Sequence, residues 1–197
     1  HNESHAPIIW LDGLDGPLIQ SFNILFFEEA KQPEQAITHQ TGESLSRMAF
    51  TRAPAKSENY GRGVPFRYAW RDTHAALRAM GDHDRDPYDG RLLRYINPVT
   101  GGYTYPTMSC EIQLLKGKEF TRAHRHTSTA IYHVVRGQGR TRVGEGHLEW
   151  KQGDTFVVPL WQSHAHENIC NEEAVLFSLT DRPVMDALQL YREETVN

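Results

Sequence analysis

Residues 123–137 read AHRHTSTAIYHVVRG, which places His124 and His126 two apart on a stretch that alternates like a β-strand. Alternation points both imidazoles to one face. A second pair, His164 and His166, sits in GDTFVVPLWQSHAHEN, again two apart on a strand-like run. Strands of a small barrel close on themselves, so separated pairs can converge inside it. Three neutral imidazoles meeting at one point make a metal site with positions left open for water or substrate. No acid follows the first pair within its run.

The elements that must position these residues begin at Thr107. MSCEIQLLK, AIYHVVRG, GRTRVG, HLEW, DTFVVP, SHAHENI and AVLFSLT are short strand-like runs punctuated by Gly117, Gly137, Gly139, Gly144, Gly146, Gly153 and Asn171. This pattern predicts an all-β sandwich or barrel. Before it, FRYAWRDTHAALRAMG predicts a helix over 66–81, stopped by Gly81. DPYDG, NPVTGG and TYP predict loops around a short strand at Leu92–Ile96. Residues 30–64 are polar and irregular, a long connection. Near the start, PIIWL reads as a short buried strand, followed by the turn DGLDGP. Residues 183–194 predict a helix packed outside the barrel.

The 197 residues carry a net charge of −4, which favours neither nucleic acid nor an anionic membrane. No apolar run is long enough to span a bilayer and no signal peptide is visible. Cys110 and Cys170 cannot form a disulfide framework and read as free buried thiols of a reducing cytosol. There is also an internal echo: Asn2 and Pro17 are 15 apart, as are Asn168 and Pro183, and Asp15 and Asp181 each lie 13 after their asparagine. The runs Ile8–Leu11 and Ala174–Phe177 fall in step. The echo suggests that the chain opens where an earlier copy of its barrel ends. Ile8, Ile9 and Trp10 are then expected to find few partners within this chain.

The histidine pairs and their glycines resemble the two motifs of the cupin superfamily. Gly117, His124, His126 and Gly137 match the first; Gly153, Pro159, His164 and Asn168 match the second, with Trp161 in place of its second glycine. The resemblance covers residues 107–181 and implies a double-stranded β-helix, or jelly-roll barrel, preceded by a loop-and-helix linker region. It implies a metal held by His124, His126 and His164, with His166 a substrate-side group. The glutamate that usually completes the first motif falls on Ala130. A divalent ion with three neutral ligands keeps its full +2, which suits a dianionic chelate such as a carboxylate beside an ionised phenol. Fe(II) suits oxygen chemistry there, whereas Zn(II) cannot exchange electrons with oxygen.

Within the cupins, AHRHT, GDTFVVPLWQSHAHEN, IIWLDGLDGP and DPYDGRLLRYINPVTGGYTYPT are similar to the gentisate 1,2-dioxygenase family, which includes salicylate and 1-hydroxy-2-naphthoate dioxygenases. These are bicupins that cleave aromatic rings with O2. The resemblance implies that residues 1–22 are the tail of an N-terminal cupin, 23–106 a linker, 107–181 the C-terminal barrel and 182–197 a helical tail. It implies catalytic roles for His166 and Gln113, and for Asp12 in the N-terminal barrel's site. It further implies an extradiol-type cleavage of gentisate or a similar aromatic acid, Fe(II) as cofactor, a cytoplasmic homo-oligomer such as a tetramer, and no nucleic-acid or membrane partner. The sequence departs from the family's main active barrel: Tyr132 stands where an arginine pairs with the substrate carboxylate, and Ser109 where an aromatic residue lies. Arg91, Arg94, Arg122 and Arg142 are the substitute carboxylate partners to consider. Rival readings are a structural, oligomer-building cupin with a vestigial metal, a ligand-sensing cupin, and a metal-dependent isomerase. The sensor is disfavoured because no helix-turn-helix or basic segment is present.

Overall fold

A computed structural model describes residues 5–29, 31, 32, 36 and 67–196. The chain divides into two compact units, His1–Pro33 and Glu34–Asn197. The expectations that concern Asn2, most of the 30–64 connection and Phe66 lie outside the described residues.

In the first unit, α1 (Gly16–Ser21) starts after Asp15, with Pro17 in its first turn, where a missing N–H costs nothing. PIIWL is not the buried strand expected from its apolar run. It makes no ladder, and Ile9 and Trp10 are 96% and 73% exposed. A strand requires a hydrogen-bonding neighbour, and this unit supplies none among the described residues.

Among the described residues, the first element of the second unit is α2 (Trp70–Ala79), shorter than predicted because residues 67–69 are non-helical and Met80 is extended. Its Leu77 is fully buried against Ile112, Leu114 and Val175. A 3-10 turn (Asp82–Asp84) leads to ten strands. They are β1 (Arg91–Arg94), β2 (Ser109–Leu115), β3 (His124–His126), β4 (Ala130–Arg136), β5 (Gln138–Val143), β6 (Gly146–Lys151), β7 (Thr155–Val158), β8 (His164–Asn168), β9 (Ala174–Thr180) and, after helix α3 (Arg182–Ala187), β10 (Glu193–Thr195). They form two five-stranded antiparallel sheets, ordered β1-β2-β9-β4-β7 and β10-β3-β8-β5-β6. This is the cupin jelly roll. Its core packs Tyr132, Val134, Val158 and Leu176 of one sheet against Trp150 of the other.

The sheets reach beyond 107–181 at both ends. β1 pairs with β2, and β10 pairs with β3. The helix expected over 183–194 therefore stops early. Leu188 caps α3, Gln189 turns into the left-handed region (φ 59°), and the following residues lie along the edge of β3 instead. Cys110 and Cys170 are free thiols, but half-buried rather than buried. Among the described residues no helix is long and apolar enough to cross a membrane.

The motif residues outside the histidines hold the strands in place. A Cβ at Gly117 would lie 2.0 Å from the Asn171 carbonyl oxygen, so that approach demands glycine. The Asn168 amide donates to the carbonyls of Lys116 (2.9 Å) and Glu172 (2.7 Å), tying β8 to the turn after β2. Trp161 keeps the left-handed backbone (φ 62°) for which the motif uses glycine. Its N–H donates to His126 O (2.9 Å) and its ring carries the Arg125 guanidinium at 4.7 Å. These contacts offset the cost of that conformation.

Candidate metal centre

Alternation along β3 turns His124 and His126 inward, while Arg125 points out to Glu194 (2.6 Å). β8 does the same with His164 and His166. The two strands are joined in register at one pair, His124 opposite His164. The ring centroids of His124 and His164 are 4.4 Å apart, and those of His126 and His164 4.9 Å. One ring nitrogen from each of His124, His126 and His164 lies within 4.8 Å of the other two.

The hydrogen bonds sort the four histidines into two kinds. His124 Nδ1–H donates to Glu193 Oε1 (2.9 Å), His126 Nδ1–H to Ser128 O (2.8 Å) and His164 Nδ1–H to Gln162 O (3.0 Å). Each of these partners accepts only, so each ring carries a proton on Nδ1, and in the neutral ring Nε2 is left as a lone pair. The buried Nε2 atoms of His124 and His164 have no partner among the described residues. His166 differs. The Thr141 hydroxyl accepts from Trp150 Nε1–H (2.9 Å) and lies 2.8 Å from His166 Nδ1, to which it can donate. In that tautomer the His166 proton sits on Nε2, which is buried and has no hydrogen-bond partner among the described residues.

Burial favours the neutral form of His126, His164 and His166. It pushes the His164 ring down to about 3, helped by His124, and lowers His126 and His166 in the same way. Glu193 moves down to about 2, chiefly through its hydrogen bond with His124. Burial raises the Asp89 carboxyl to about 7, against the opposing pull of His124. Three neutral imidazoles with converging lone pairs, each oriented by a backbone or carboxylate acceptor, fit a divalent transition metal.

The cavity beside the triad is about 50 Å³. Gln113, whose buried Nε2 has no partner among the described residues, and the buried Tyr132 line it. Tyr132 stacks on Phe156 (5.2 Å) and meets the edge of His166 (4.7 Å). None of the four arginines considered from sequence lines this cavity. Arg91 is buried between Asp82 and Glu119, and Arg94 pairs with Glu111 (2.7 Å). Arg142 lines a larger hollow of about 490 Å³ with Arg140 and Glu167, where no ligand set converges among the described residues. The backbone N–H of Arg122 donates to Pro87 O (2.7 Å). The arginine at the triad is Arg182, stacked over Tyr191 at 3.9 Å. Arg182, Tyr191, Glu193 and Asp89 were missed because they come from segments read as tail and loop. Asp12 is exposed in the other unit.

Comparison with known proteins gives a consistent picture. The family described as cupin domain matches residues 111–180. The chain is 39% identical over 194 residues to gentisate 1,2-dioxygenase 1 of Aquipseudomonas alcaligenes, covering 98% of this chain and 55% of that protein. It is 39% identical over 197 residues to the 5-aminosalicylate 1,2-dioxygenase of a Comamonas species, covering 98% and 52%. The crystal structure of salicylate 1,2-dioxygenase from Pseudoaminobacter salicylatoxidans, an adduct with gentisate, superposes with TM-score 0.72 at 26% identity, covering 92% of this chain and 51% of that one. The chain thus spans about half the length of the curated relatives it matches. Their names specify 1,2-cleavage, and none carries the extradiol label expected from sequence.

Proposed function

This chain belongs to the gentisate 1,2-dioxygenase family of cupins, and on that premise we propose that it is the C-terminal part of an Fe(II)-dependent enzyme that opens the ring of gentisate or a related hydroxylated aromatic acid. The observation that carries the reading is the convergence of three buried imidazoles. His124, His126 and His164 bring one ring nitrogen each to one point while their Nδ1 atoms face acceptors, and His166 stands beside them outside that group. Bound there, Fe(II) supplies Lewis acidity and the electrons that activate dioxygen.

The protein's own groups do the rest. His166 Nε2–H and the Gln113 amide, both without partners among the described residues, donate hydrogen bonds to substrate or dioxygen oxygens. Arg182 takes the carboxylate, the role that Tyr132 cannot fill because a neutral phenol lacks the charged, two-pronged guanidinium. The cavity is small against the roughly 300 Å³ or more that a drug-sized ligand occupies. Ring binding here requires Tyr132 or Tyr191 to move. That favours slow turnover by this barrel and a larger share of activity in an N-terminal barrel, whose site Asp12 would serve. The whole protein is proposed as a cytoplasmic homo-oligomer acting on an aromatic acid and O2.

The test is oxygen uptake by iron-loaded protein with gentisate, salicylate and other hydroxybenzoates. Uptake with loss of aromatic absorbance is expected from the two-barrel protein. Iron-loaded protein that consumes no oxygen with any of them would refute the assignment.

A further inference from the structure

The three converging imidazoles are not anchored alike. His126 donates its Nδ1 proton to Ser128 O and His164 to Gln162 O, each only two residues along the chain. His124 donates to Glu193, 69 residues away on the C-terminal edge strand β10. We propose that Glu193 is a positioning residue that couples metal binding to the docking of β10, so that a metal at the triad fastens the strand and the docked strand tightens the metal. The proposal rests on the reading of His124, His126 and His164 as ligands.

The end of the chain reaches the triad through several contacts at once. In the ladder Glu193 lies opposite His126 and Thr195 opposite His124. Glu193 Oε2 accepts from the Tyr191 O–H (2.8 Å), and the Tyr191 ring faces that of His126 at 6.4 Å. The Thr195 hydroxyl meets the Tyr88 hydroxyl, and Tyr88 stacks on the His124 ring at 5.0 Å. Glu194, between Glu193 and Thr195, turns outward to Arg125 (2.6 Å).

The coupling runs through the His124 ring. The carboxylate at Nδ1–H keeps the proton on that nitrogen and leaves Nε2 of the neutral ring free to bind an ion. With the strand lifted, the proton loses its acceptor, and the tautomer with Nε2–H, which cannot bind a metal, becomes accessible. A cation on Nε2 withdraws electron density from the ring, which makes Nδ1–H a stronger donor and strengthens its bond to the charged Glu193. The coupling is reciprocal by thermodynamic necessity: docking of β10 raises metal affinity by the same factor as metal raises the docking equilibrium. Because Tyr191 and Glu193 also wall the cavity, the metal-loaded site is the more closed one.

The experiment pairs calorimetric titration of the chain with Co(II) with amide hydrogen exchange at Arg192, whose N–H donates to Thr127 Oγ1 (2.9 Å), and at Val196. Glu193→Ala should weaken Co(II) binding by the roughly 10- to 100-fold that loss of a supporting group costs at metal sites. By reciprocity, saturating Co(II) should slow exchange of both amides in the parent by about the same factor, and the Glu193→Ala variant should lose that extra slowing. Glu194→Ala removes the outward pair alone. Its amides should exchange faster with and without Co(II), the slowing by the ion should persist, and its affinity should stay within about twofold of the parent. A Glu193→Ala variant that binds Co(II) within about twofold of the parent, a Glu194→Ala variant weakened as much as the Glu193 one, or parent amides that do not slow with Co(II) bound would each overturn the coupling and leave the triad standing. A parent chain that binds no Co(II) overturns both. Should Glu193→Ala fail to fold, the exchange of the parent with and without Co(II) decides alone.

Discussion

Replacing Thr141 by Val would test the tautomer assignment at its root. Thr141 is fully buried, and its hydroxyl accepts from Trp150 Nε1–H and lies 2.8 Å from His166 Nδ1, to which the assignment has it donate. Valine keeps the shape and removes both bonds. Trp150 and His166 are themselves 3% and 1% exposed, so water cannot take over. Each buried polar atom left unpaired costs about 1–3 kcal/mol, giving about 2–6 kcal/mol for the pair. At about 2–4 °C per kcal/mol for a domain of this size, the melting temperature should fall by at least about 4 °C. Thr141→Ser keeps the hydroxyl and should lose only about 1 kcal/mol, for one buried methyl group. Urea denaturation of the metal-free protein followed by tryptophan fluorescence measures the stabilities, and 15N NMR of the imidazoles locates the His166 proton. A Val variant as stable as the parent, a Ser variant as damaged as Val, or a proton found on His166 Nδ1 would refute the reasoning.

Four further outcomes are expected. His164→Ala should lose bound metal while circular dichroism shows an intact barrel, since apolar strands supply the core; full metal occupancy in that variant would remove the triad. His166→Ala should keep the metal, because its ring lies outside the group of imidazoles that converge. In the metal-free protein, His164 is held near 3 against about 6.5 in the unfolded chain, so the unfolded state binds the extra proton between those values. Stability is therefore undiminished above about 6.5 and falls, by up to about 1.4 kcal/mol per pH unit, as pH drops from there toward 3; a melting temperature flat across that window would contradict the burial argument. Leu77→Ala should cost about 2–5 kcal/mol by leaving a cavity under α2, measurable by denaturant titration, and a loss under 1 kcal/mol would show that α2 is not seated as described.

The period of two in HRH and HAH was legible because a strand has only two faces, and one of these is buried. Gly117 and Asn168 were legible for a similar local reason: a close backbone approach and a multiply bonded amide leave little choice of residue. What the sequence concealed is long-range. Glu193 lies 69 residues from His124, and nothing near it marks it as that ring's partner. Arg182 adjoins a proline that reads only as a helix start. Asp89 sits in a turn whose Asp and Gly are explained equally well by turn chemistry. PIIWL failed in the opposite sense. Its composition suits a strand, but a ladder depends on a neighbour that local composition cannot reveal. Trp161 shows that even a strong glycine preference yields when a cation stack and a hydrogen bond hold the strained backbone.

The pairing of β10 with β3 also bears on time. Tyr191 and Glu193 wall the triad's cavity, and the segment is held by a three-residue ladder, by the Val196 N–H to Ala123 O bond (3.0 Å), by bonds from Thr127 to Arg192 and Leu190, and by side-chain contacts of Glu193 with His124, Glu194 with Arg125 and Thr195 with Tyr88. A short, exposed edge strand of this kind opens by local fluctuation at far less than the cost of global unfolding. Water and dioxygen can come and go through so small an opening with the strand in place, whereas an aromatic ring must wait for it to lift. Ring capture would then saturate at a ceiling set by the strand's own opening frequency, however much substrate is supplied. Amide hydrogen exchange at Val196 reads the same event.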